Sequence, residues 1–194
     1  EAGRHRLLMP FTGDYRSFEQ VLAHEMVHEF QYDIFARGKA GEGIERLQRF
    51  DPPLWFMEGM AEYLSIGPEH PLTAAWIRDA VVNGTLPTIA QMTERPDKYF
   101  PYRFGEALWQ YIGARYGDDA IGELLQAVTT VGVERAFRRE LGVSTEQLSD
   151  EWREAMQTKY LPTVSALNRP NSFATQLLTP RDTPGESFLA PEAS

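Results

Sequence analysis

No cysteine occurs among the 194 residues, so a disulfide framework and any thiolate metal site are excluded. No stretch approaches the roughly 20 apolar residues that a membrane-spanning helix requires. Positive charge is also scarce. Nineteen Lys and Arg stand against 28 Asp and Glu, a net charge of −9, and the basic residues form no stripe. Nucleic acid and anionic membrane surfaces are therefore disfavoured as partners. Strand patterns are nearly missing too. Residues 5–11 form one short apolar run closed by the turn signal Thr12-Gly13-Asp14, and this is the only convincing strand. With 42% hydrophobic residues the chain can bury one globular core. Because Glu1 is not an initiator methionine, the chain is expected to begin inside a longer or processed precursor.

What is present is helical periodicity. Ser17 and Gln20 read as a capping box opening a helix over 18–37, on which Phe18, Val21, Leu22, Met26, Val27 and Phe30 recur at helical spacing. A flexible loop from Gly38, with some helical character in 44–49, leads to Pro52-Pro53, which opens a second helix ended by Gly67-Pro68. Further helices are expected at about 71–83, 86–93, 101–116, 118–129, 132–141 and 144–160, with glycines at their ends and a capping box at Ser144–Gln147. Residues 162–194 hold five prolines and little periodicity, so the domain is expected to span 1–161 and an extended linker 162–194.

The first helix contains His24-Glu25-Met26-Val27-His28. Helical residues four apart share a face, so the two imidazoles can bind one metal ion. Glu25 falls one position round the helix, where a general base can take a proton from an activated water. The bland alternative is two partly buried histidines on an amphipathic helix. A catalytic zinc site usually takes three protein ligands. Of the remaining histidines, His70 sits in a loop after the second helix, and His5 lies near the start of the chain. A carboxylate is the better candidate. Glu58 and Glu62 lie four apart on an otherwise apolar helix, where free charge is costly to bury. Spacing alone does not decide which of them binds the metal. Gly59 beside them permits close approach of another backbone. Glu29, Asp33 and Glu106 also lie near these stretches and read as structural or solvated.

The two joined stretches, His24–His28 and Trp55–Tyr63, resemble the gluzincin clan of zinc metallopeptidases, closest to the peptidase-MA-like domains and the W-x-x-E-G-x-A pattern of the aminopeptidase branch. The resemblance implies an α+β, predominantly α, thermolysin-like zincin fold with a helical C-terminal lobe, little of whose sheet lies within this chain. It implies one Zn²⁺ held by His24, His28 and Glu58, with Glu62 holding a zinc histidine through its other ring nitrogen. Tyr99–Ala107 resembles the stretch that supplies an oxyanion-stabilising tyrosine, which points to Tyr102 and next to Tyr99. Met57 stands where the aminopeptidases carry asparagine, and the histidine-to-glutamate gap is longer, so the likeness is to the clan rather than to aminopeptidase specificity.

Residues 188–194 are similar to the lead-in of a TolB-like β-propeller blade, which implies a peptidase domain from an exported bacterial protein, periplasmic or extracellular, with a propeller downstream. The function implied is hydrolysis of peptide bonds in a peptide or protein substrate, with Glu25 as general base and Tyr102 on the oxyanion. The alternative is a non-catalytic zinc-binding interaction module of the same fold. A scaffold that uses the histidines and glutamates as a metal-free polar network is the third reading.

Overall fold

The computed structural model describes residues 13–36 and 42–165, together with Met9, Phe11 and Thr175. These residues are predominantly helical and contain no strand. The strand expected over 5–11 lies outside the described residues, apart from Met9 and Phe11, which adopt no regular structure. Of the expected linker, only the stretch up to Ser165 and Thr175 is described.

Nine helices are described: α1 (Tyr15–Ala36), α2 (Glu42–Phe50), α3 (Leu54–Ile66), α4 (Pro71–Val82), α5 (Ile89–Glu94), α6 (Pro101–Tyr116), α7 (Asp119–Val131), α8 (Val133–Glu140) and α9 (Thr145–Ser165). α1 starts earlier than the capping box at Ser17 implies. The Asp14 carboxylate accepts from the backbone N–H of Ser17 at 3.0 Å and of Arg16 at 3.3 Å, and Ser17 Oγ donates to the same carboxylate. An ionised cap beside the positive end of the helix outcompetes a hydroxyl for that position. At the other end of the chain, α9 runs past the expected residue 160 to Ser165. α5 begins at Ile89 because Thr88 and Gln91 form a reciprocal capping box there.

α3 is the centre of the molecule. It packs on α6 along one side and on α1 along another. Its apolar composition predicts burial on most sides, and Trp55, Phe56, Met57, Met60, Ala61 and Tyr63 are all buried. Phe56 meets Trp109 at 5.0 Å and Phe137 at 6.3 Å between ring centroids, and Trp55 meets Phe137 at 6.2 Å, all edge-on. Each such pair contributes about 0.5–1.5 kcal/mol beyond its area burial. The Trp109 indole also donates to the Phe56 carbonyl at 3.0 Å.

This aromatic cluster fixes one face of α3. The face carrying Glu58 and Glu62 is turned to α1 and to the start of α6. Helices α3 and α6 cross at Gly59 and Gly105 with backbone nearly touching backbone, since a Cβ on Gly59 would lie 2.4 Å from the Gly105 carbonyl carbon. Only glycine allows that approach. The crossing brings the first turns of α6, with Tyr102, Arg103 and Glu106, against the carboxylates of α3.

Candidate metal centre

Three side chains from α1 and α3 converge. His24 Nε2 lies 3.1 Å from His28 Nε2, and Glu58 Oε2 lies 3.2 Å from the first and 3.1 Å from the second. The i, i+4 spacing on α1 aligns the two rings, which meet edge-on with centroids 4.8 Å apart. A tetrahedral centre with bonds of about 2.0–2.1 Å has ligand-to-ligand edges of about 3.3–3.4 Å, close to the triangle found here.

The opposite ring nitrogens are already engaged. His28 Nδ1 lies 2.8 Å from Gln31 Oε1, and the Gln31 amide nitrogen donates to the Met57 carbonyl at 3.0 Å. That second bond sets the amide so that its oxygen faces the histidine, which makes His28 Nδ1 the donor. His24 Nδ1 lies 3.1 Å from Glu62 Oε1, in a bent approach held by charge and proximity rather than by a straight hydrogen bond. With protons on both Nδ1 atoms, each neutral imidazole presents a lone pair on Nε2 to the other and to Glu58. Three acceptors within 3.2 Å of one another require a cation or a proton between them. The donor set fits a divalent metal of the zinc type.

Without metal, protons fill the role. Burial alone would push the His24 imidazole down, but its hydrogen bond to Glu58 and the adjacent Glu62 carboxylate outweigh burial and raise its pKa to about 9. Burial would push the Glu58 carboxyl up, yet hydrogen bonds from His24 and His28, with a further one from Tyr102, bring it down to about 2.

Tyr102 stands at the edge of the triangle. Its ring stacks on His24 at 5.7 Å with the planes 18° apart, and it also stacks with Phe100 at 5.1 Å. Its hydroxyl hydrogen-bonds Glu58. Burial first, then the charge of Glu58, push the phenol up to about 12, so it remains a donor through the working pH range. Tyr99, the other candidate tyrosine, packs instead on Phe104 at 6.1 Å. Glu25 is half-buried beside the triangle and makes no hydrogen bond or ion pair among the described residues.

The remaining candidates separate. His5 lies outside the described residues. His70 joins a second group with Thr73, Arg103 and Glu106, away from the two α1 histidines. Asp33 is exposed and Glu29 half-buried on α1. Glu106 is fully buried, so the structural half of its expected reading applies and the solvated half does not. Gln31 is the partner that sequence reasoning missed. Its signal is weak: a polar residue three positions after His28, on the inward face of α1.

No family model, curated protein or solved structure matches this chain.

Proposed function

We propose that the chain is a zinc-dependent peptidase domain of the gluzincin type. The observation that carries this reading is the convergence of His24 Nε2, His28 Nε2 and Glu58 Oε2, each within 3.2 Å of the others, with Glu25, unpaired among the described residues, at the next helical position. A purely structural metal site has no use for an acid in that place.

When bound, zinc would supply Lewis acidity, polarising a scissile carbonyl and acidifying a water. The chain supplies the rest. Glu25 accepts the proton from the attacking water and delivers it to the leaving amine. The Tyr102 hydroxyl, kept protonated by its surroundings, donates to the oxygen on which negative charge develops. Glu62 and Gln31 fix the tautomers of His24 and His28, so that both Nε2 lone pairs would be available to hold the metal. The substrate class is peptide or protein, and nucleic acid does not suit a chain with net charge −9. No helix among the described residues is long and apolar enough to cross a membrane. A zincin fold whose sheet lies largely outside the described helices, export from a bacterial cell and a downstream propeller belong to the same proposal.

The test is Glu25→Gln, assayed with quenched fluorescent peptide libraries and by metal analysis. The variant is expected to keep its zinc and to lose hydrolysis by about 10²–10⁴-fold. A wild type that holds zinc and cleaves no peptide leaves the interaction-module reading in its place.

A further inference from the structure

Behind the metal triangle lies a buried charge network of which the proposed chemistry uses only Glu62. Glu62 Oε2 accepts from Arg103 Nη1 at 2.7 Å, and the same nitrogen donates to Glu106 Oε2 at 2.8 Å. His70 Nδ1 lies 3.0 Å from Arg103 Nη1, and Thr73 Oγ1 donates to Glu106 Oε2. Gln110 donates to the other oxygen, Glu106 Oε1, at 3.0 Å. Glu62, His70 and Glu106 thus present three potential ligand atoms within 4.8 Å of one another. They do not form a second metal site, because the guanidinium nitrogen already occupies the position between them.

Burying carboxylates at this density is costly, and a single cation shared between two of them is a weak way to gain stability. The direction of the network gives it another role. It runs from Glu106, with no exposed surface, through Arg103 to one oxygen of Glu62, and the other oxygen of Glu62 faces His24 Nδ1. We propose that Arg103, anchored on Glu106, is a positioning residue that holds Glu62 against His24 and thereby sets how tightly the His24, His28 and Glu58 site retains its metal. The inference rests on the metal-centre reading above. Arg103 itself touches neither a ligand atom of the triangle nor, on this reading, the substrate.

The geometry explains why arginine is needed. The Arg103 side chain must reach from α6 to two carboxylates on different helices, and the terminal nitrogen uses its two hydrogens for them. A lysine ammonium keeps the charge but lacks the rigid plane that aims the two hydrogens of Nη1 at both carboxylates. Once Glu62 is free to rotate, His24 loses the acceptor that fixes its tautomer, and loss of such outer partners typically lowers metal affinity 10–100-fold.

The experiment is a double-mutant cycle on full-length chain, read by chelator competition for Zn²⁺ and by the visible spectrum of the Co²⁺-substituted protein. Arg103→Lys is expected to weaken zinc binding about 10-fold or more in the wild-type background. In the Glu62→Gln background the same substitution is expected to cost less than about 3-fold, because its route to His24 is already cut. The Co²⁺ spectrum should shift in each single variant. Glu106→Gln, nearly isosteric, gives the same readout by a second route if Arg103→Lys does not show a cooperative thermal transition. Equal losses in both backgrounds, or zinc affinity and Co²⁺ spectrum unchanged in folded single variants, overturn the inference and leave the metal centre standing. A wild type that binds no zinc overturns the metal centre itself, and the inference with it.

Discussion

Gly59 and Gly105 face each other across the α3–α6 crossing so closely that neither has room for a side chain. A Cβ on Gly59 would meet the Gly105 carbonyl carbon at 2.4 Å, and one on Gly105 would meet the Trp55 carbonyl oxygen at 2.4 Å. Both obstacles are backbone, which cannot rotate away as a side chain can. Gly59→Ala is therefore expected to destabilise the protein by at least about 1–3 kcal/mol, the usual cost of overpacking, in spite of alanine's better helix propensity. Urea unfolding measures it. A variant as stable as wild type would mean that the two helices do not cross at these residues.

In the metal-free protein the His24–Glu58 pair gives stability a defined pH profile. His24, raised from 6.5 to about 9, contributes fully below pH 6.5 and loses its contribution as pH rises toward 9. Glu58, lowered from 4.5 to about 2, contributes fully above pH 4.5 and loses its contribution as pH falls toward 2. The pair is strongest between about pH 4.5 and 6.5, and its loss on either side amounts to roughly 2–3 kcal/mol, counted once because one pair carries both shifts. Denaturant titrations in chelator between pH 6.5 and 9 should show wild type losing stability relative to His24→Gln. Parallel curves for the two proteins would contradict the pairing.

Tyr102 separates ring from hydroxyl. Tyr102→Phe keeps the stacking contacts with His24 and Phe100 and removes only the donor. Zinc should be retained, while kcat for peptide hydrolysis should fall roughly 100-fold, the scale for loss of one oxyanion donor. A rate within about threefold of wild type would remove Tyr102 from the chemistry.

The sequence makes some of this arrangement legible and conceals the rest for physical reasons. Convergence of His24 and His28 is readable because helical periodicity alone puts residues four apart on one face. Glu58 and Glu62 are conspicuous because a carboxylate on an apolar helix needs a partner. Gly59 announces a close approach, and Gly105 supplies its other half. Arg103 carries no such signal. It becomes important only because the α3–α6 crossing sets it beside Glu62, and a helix crossing angle is not a local property of sequence. His70 is conspicuous as one of four histidines, yet tertiary packing delivers it to Arg103 rather than to the metal triangle. At the start of α1, the capping box at Ser17 and Gln20 is a valid local pattern overruled by the charge of Asp14 three residues earlier. Apart from Met9 and Phe11, the strand pattern over 5–11 falls outside the described residues, as do the propeller-like residues 188–194.

The most direct measurement is the zinc content of purified protein after equilibration with Zn²⁺ and removal of loosely bound ion, for wild type beside His24→Ala and Glu58→Ala. One zinc per wild-type chain, lost from both variants, is the expected result. No zinc in the wild type, or full zinc retention in Glu58→Ala, would contradict the His24, His28 and Glu58 centre on which the proposed peptidase chemistry depends.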